Sequence, residues 1–150
     1  MRRLMALAAG TLALATAAPV ARSYEPRVNF QLHCMGCHRA DGSGEAGRIP
    51  SVRRSLLQFS GTGEGREFVL RVPGVAQSPL SDRETAALLN WMARNLSDLP
   101  LPVGFVDYTA AEVGRLRHEP LAEVAAARAR LVRSAERPRG TARAHEAPGG

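Results

Sequence analysis

The sequence contains no lysine. All 20 of its basic residues are arginine, set against 14 acids, for a formal charge of +6 over 150 residues. Part of that excess is local: Arg2, Arg3 and Arg22 fall in the first 23 residues, and beyond them 17 arginines face 14 acids. Neither residues 24–103 nor residues 104–150 carry the clustered basic face of a nucleic-acid binder, so nucleic acid is not an expected partner. Long apolar runs are also scarce. The one present, from Leu4 to about Ala18, falls short of the roughly 20 residues that span a bilayer. Cysteine is limited to Cys34 and Cys37. No second C-x-x-C and no H-x-x-x-H completes the four ligands of a structural zinc site. Nor does a strand–helix alternation surround the pair, as a thioredoxin-like redox motif would require.

What is present begins with "MRRLMALAAGTLALATAAPVARS". Two arginines, an apolar stretch and then small residues form the pattern of a secretory signal peptide. Residues 1–23 are therefore expected to be removed, with cleavage before Tyr24 or, in competition, after Ala17 or Ala18. The mature chain should be exported, soluble and periplasmic, with no stable membrane insertion after cleavage.

The two cysteines stand in "CMGCH", residues 34–38. An oxidising compartment would permit a disulfide, but that leaves the histidine without a part. In C-x-x-C-H the two thiols bond the vinyl groups of a haem and the next histidine ligates its iron. Cys34, Cys37 and His38 are thus the candidate cofactor-binding residues, with His38 the candidate metal ligand. The cofactor would be one covalent haem c.

Around this motif, residues from about Tyr24 to Leu101 resemble the class I, mitochondrial-type monohaem cytochrome c domains. Phe30 lies four residues before Cys34, and the glycine-rich "ADGSGEAG" follows His38. Pro50 comes twelve residues after His38, and "LSDRETAALLNWMARNL" carries Trp91 as the last helix would. The resemblance implies an all-α, cytochrome c-like fold of several short helices around one covalently bound haem, with residues 24–103 forming that domain. It implies that Phe30 meets Trp91 and that the Pro50 carbonyl accepts the Nδ1–H of His38. It further implies an electron carrier with no catalytic residue, working between redox protein partners such as a dehydrogenase, reductase or oxidase. The last helix also reads without the family. Ser81 and Glu84 form a capping box, and Leu88, Trp91, Met92 and Leu96 make one apolar face.

The pattern breaks at "VPGVAQSPLS", residues 72–81, where the resemblance implies a methionine as second axial ligand. That loop has no methionine, histidine or lysine. Met92 is expected to pack in the core, and Met35 is confined to the C-x-x-C turn. His33, His118 and His145 are the remaining nitrogen donors. The second axial position is therefore left among Met92, His118 and an open face. An open face would suit a diatomic ligand or peroxide, and a bound subunit of a larger oxidoreductase is a third possibility.

Two short helices are expected between the glycine loop and the last helix, over 51–59 and 65–72, separated by "SGTGEG". Arg48, Arg53, Arg54 and Arg71 are candidates to neutralise haem propionates through paired hydrogen bonds. Beyond the linker "LPLPVG", residues 104–136 form a helical C-terminal extension. Thr109 and Glu112 make a second capping box, and Leu121, Val124, Ala125, Leu131 and Val132 form an apolar stripe. This extension should pack on the haem domain or contact a partner. Residues 137–150 have no periodicity and read as a disordered tail.

Overall fold

A computed structural model describes residues 23–136. The expected signal peptide, apart from Ser23, and the expected tail lie outside the described residues. Among these there are eight helices and no strand. The one β contact is an isolated antiparallel bridge between Glu45 and Ile49. The fold is all-α and consistent with the cytochrome c-like class. No described helix is long and apolar enough to cross a membrane.

Helix α1 (Pro26–His33) opens on proline, whose missing N–H is harmless in the first turn. Helix α6 (Asp82–Asn95) opens on the expected capping box. The Ser81 Oγ accepts from the Glu84 N–H at 3.3 Å, and the Glu84 carboxylate accepts from the Ser81 N–H at 3.0 Å. The two helices cross at Phe30 and Trp91, whose ring centroids lie 5.9 Å apart with planes tilted by 44°. Phe30 is fully buried there. The apolar face of α6 is wider than its four-residue stripe, because Leu89 and Ala93 are buried as well as Leu88 and Met92. A helix enclosed on two sides buries more than one stripe.

Helices α3 (Val52–Ser60) and α4 (Gly63–Arg71) are capped by Ser51 and Thr62, whose hydroxyls accept from Arg53 and Gly65. The corner between them depends on Gly65, since a Cβ there would sit 2.0 Å from the Phe59 carbonyl oxygen. Across the corner Phe59 and Phe68 meet edge to face at 5.3 Å. The second helix starts two residues earlier than expected because Thr62 supplies its cap. Pro73 does not merely stop it: Val72 is extended, and Pro73 opens the single turn α5 (Pro73–Ala76).

The chain then returns as α7 (Ala110–Leu116) and α8 (Val124–Glu136), packed on α6 and α4. Tyr108 anchors the return. Its backbone N–H donates to Asn90 Oδ1 at 2.8 Å, and Asn90 Nδ2 donates to its carbonyl at 2.9 Å. Its hydroxyl lies 2.7 Å from Ser60 Oγ. The Arg66 guanidinium stacks 4.0 Å from its ring centroid and grips Glu112 through Nε at 2.7 Å and Nη2 at 2.6 Å. That grip explains a difference from the expected cap. Thr109 does accept from the Glu112 N–H, but the Glu112 carboxylate is gripped by Arg66 and makes no close hydrogen bond to the Thr109 N–H, so the box stays open. Helix α8 buries Ala127 and Leu131, whereas Ala125 is exposed. Leu121 lies outside it because its N–H donates to the Arg71 carbonyl at 2.8 Å.

Candidate functional site

The C-M-G-C-H segment forms a single tight turn at the end of α1. Cys34 donates its N–H to the Phe30 carbonyl at 2.9 Å, and its own carbonyl accepts from Cys37 at 3.1 Å and His38 at 2.9 Å. Those bonds define α2 (Met35–His38). Three-residue spacing on a helical turn brings the two cysteines to one side. Neither thiol is in a disulfide; Cys34 is half-buried against the core and Cys37 is exposed. Burial, with the charge of Cys37 adding, pushes the Cys34 thiol up to about 11. A redox-active pair needs a stabilised thiolate instead. Among the described residues no group of three or more His, Cys, Asp or Glu side chains is arranged to hold a metal ion.

His38 ends the turn half-buried. Burial lowers its pKa below the ordinary 6.5, while the Pro50 backbone pulls it back up. Its Nδ1 is buried without a hydrogen-bond partner, and the imidazole lies close to the Pro50 carbonyl. A neutral imidazole with Nδ1 facing a backbone carbonyl presents Nε2 as its ligating nitrogen.

The glycine-rich loop makes this arrangement possible. Arg39 takes φ +52°, an uncommon conformation for a side chain other than glycine, and the chain turns back directly after His38. Gly42 then donates to the Arg39 carbonyl at 3.2 Å and Gly44 to the His38 carbonyl at 3.4 Å. Gly44 has φ +70°, and a Cβ on it would meet the Ile49 carbonyl oxygen at 2.4 Å. The Glu45–Ile49 bridge closes the loop and delivers Pro50 to the imidazole.

These residues fit a covalently held haem. Two free thiols share one turn, Nδ1 of His38 is buried and unpaired, and the Pro50 carbonyl lies by the imidazole. Cys34 and Met35 pack against the hydrophobic cluster, which gives the anchored side a low-dielectric wall.

Of the candidate second ligands, Met92 is buried in the α6 core, in keeping with a packing role. His33 and His118 are exposed, and His145 lies outside the described residues. Three of the four arginines considered for propionates are engaged with the protein's own acids: Arg48 with Glu45, Arg53 with Asp98 and Asp41, and Arg71 with Glu67. Arg54 is exposed. A cavity of about 450 Å³ beside the glycine loop is bounded by Arg48, Ile49, Pro50 and, from the extension, Arg128. The residue that sequence reasoning missed is Arg117. It lies beside His118 yet turns inward to the segment before α6, and nothing in the sequence separates it from the other arginines.

No family model matches the sequence. Two curated proteins resemble it, both named cytochrome c-552. One, from Thermus thermophilus, is 31% identical over 106 residues, spanning 59% of this chain and 81% of the relative. The other, from a named strain of the same species, is 33% identical over 106 residues, spanning 59% of this chain and 72% of the relative. Similarity of that extent, over most of each relative's length, agrees with the C-x-x-C-H turn: the chain belongs to the c-type cytochromes.

Proposed function

We propose that this protein is an electron carrier of the class I, monohaem type, exported to the periplasm, rather than an enzyme. The observation that carries this reading is the Cys34–His38 turn, with two unpaired thiols and an imidazole directed at Pro50. Haem, when bound, supplies one-electron chemistry at iron. The protein's part is to hold and tune. Cys34 and Cys37 would anchor the group, and His38 would supply a nitrogen ligand to its iron. Pro50 orients the His38 ring, and the cluster behind Cys34 excludes water from one side. Partners would be redox proteins that dock transiently and exchange one electron at a time.

Mass spectrometry of protein matured in a haem-ligating periplasm should show one haem per chain, retained after acid denaturation. Cys37→Ala should weaken or abolish that attachment. Haem recovered free after acid extraction of the unmodified chain would overturn the reading.

A second reading is favoured by one feature. The loop from Val72 to Ser81 lacks a side chain suited to iron, and Met92 is already used in packing. The face opposite His38 would then accept an external ligand. A high-spin spectrum with rapid carbon monoxide binding to the reduced protein would support that reading. A low-spin spectrum lost in Met92→Leu would instead identify Met92 as the ligand.

A further inference from the structure

The segment that leads into α6 ends with carbonyls that no backbone N–H satisfies. Arg117, from the C-terminal extension, satisfies them. Its Nη2 donates to the Ser78 carbonyl at 2.7 Å, and its Nη1 donates to the Leu80 carbonyl at 2.8 Å and to Thr85 Oγ1 at 3.0 Å. The same nitrogen lies 3.4 Å from the Asp82 carboxylate, and the Arg117 side chain is only 11% exposed. Thr85 and Leu80 are buried. One guanidinium thus bridges the loop, the cap region and the first turn of α6.

The approach is built into the backbone as well. Gly114 sits where a Cβ would come within 2.6 Å of Asp82 Oδ2, so α7 lies directly on the start of α6. Its last turn places Arg117 over the loop, with the Arg117 N–H donated to the Val113 carbonyl. Guanidinium is suited to this task because its planar fork reaches several acceptors at once and stays charged at any ordinary pH.

We propose that the C-terminal extension is part of the haem site, and that Arg117 is the positioning residue through which it closes the face opposite His38. The inference rests on the class I reading above, in which the 72–81 loop forms that face. Where this loop supplies no iron ligand of its own, its position decides how readily an external ligand enters. Arg117 holds it by two hydrogen bonds, to the Ser78 and Leu80 carbonyls, and ties it by a third to Thr85 in the first turn of α6, all 32 to 39 residues away in sequence. Releasing it leaves two carbonyls and a buried hydroxyl without a partner and lets the segment open to water.

The test is imidazole binding to the ferric holoprotein, full length, followed by stopped-flow. Arg117→Met should raise the association rate about tenfold, equivalent to roughly 1.4 kcal/mol of gating free energy. Tyr108→Phe serves as the comparison. It removes a buried hydroxyl contact elsewhere in the extension and should lower the melting temperature while leaving the rate unchanged. If Arg117→Met lowers stability but leaves the imidazole rate at the wild-type value, the inference fails. If Arg117→Met does not accumulate with haem, Arg117→Lys is measured in the same way. It keeps the charge but cannot span the three acceptors, so an unchanged rate in that variant overturns the inference equally. A wild-type chain that carries no covalent haem would overturn the cytochrome reading, and this inference with it. A haem-loaded chain indifferent to Arg117 overturns the inference alone.

Discussion

Glu112 illustrates how one side chain ties the extension to the body of the protein. The Arg66 fork holds its carboxyl below the ordinary 4.5 against a burial that raises it, with the Thr109 backbone and Arg115 adding to the lowering. A carboxylate whose folded pKa is depressed contributes stability that is fully present above its unfolded value and is lost as pH falls through the folded one. That contribution should therefore hold above pH 4.5 and fade below it. Glu112→Gln should cost about 1–2 kcal/mol at pH 7, because a charge-assisted pair of hydrogen bonds is weakened. Urea unfolding at pH 7 and near pH 3.5, where carboxylates titrate, checks both parts. The gap between wild type and variant should narrow at the lower pH.

At the scale of elements, helix ends are where the chain states its intentions. Ser51, Thr62, Ser81 and Thr109 each cap the helix that follows. Two of the four, Ser81 and Thr109, were visible as S/T-x-x-E patterns. The α3–α4 corner was not visible in that way. It depends on Gly65 lying against the Phe59 carbonyl, a contact between backbones that no pattern of side chains announces. Since the obstructing atom is backbone, Gly65→Ala cannot be absorbed by a side chain turning aside. It should destabilise the protein by about 1–3 kcal/mol, the usual range for overpacking. Thermal unfolding by far-ultraviolet circular dichroism is the measurement, and a variant as stable as wild type would mean that the corner is open.

For the whole molecule, the proposed haem is a structural element as well as a redox centre. A covalent haem stays on the unfolded chain as well, so it would stabilise the fold through apolar surface that is buried, and a His38 ligation that is made, only when the chain is folded. Protein matured without haem, such as a Cys34→Ala, Cys37→Ala double variant, should therefore unfold at a lower urea midpoint than the holoprotein. The extension limits the size of that difference. Tyr108, Val113 and Leu131 add buried contacts that do not pass through the C-x-x-C-H turn. The variant chain should retain a cooperative transition, which circular dichroism and tryptophan fluorescence from Trp91 would follow together.

The sequence by itself determined the parts of this protein that are local. The C-x-x-C-H turn is closed by bonds within five residues, and the Ser81 box by bonds within four. The Phe30–Trp91 contact was legible because a family resemblance places both residues at the crossing of two helices. The tertiary structure alone decided which arginines matter. Arg53 answers Asp98, Arg66 answers Glu112 and the Tyr108 ring, and Arg117 answers the carbonyls before α6. In sequence these are three of 20 identical side chains. A guanidinium acquires a role only from the acceptors that folding brings within reach, and those acceptors lie 32 to 46 residues away. The same reason explains why His118 drew attention while Arg117 did not. Side-chain chemistry singles out a histidine, but burial and unsatisfied carbonyls single out the arginine beside it.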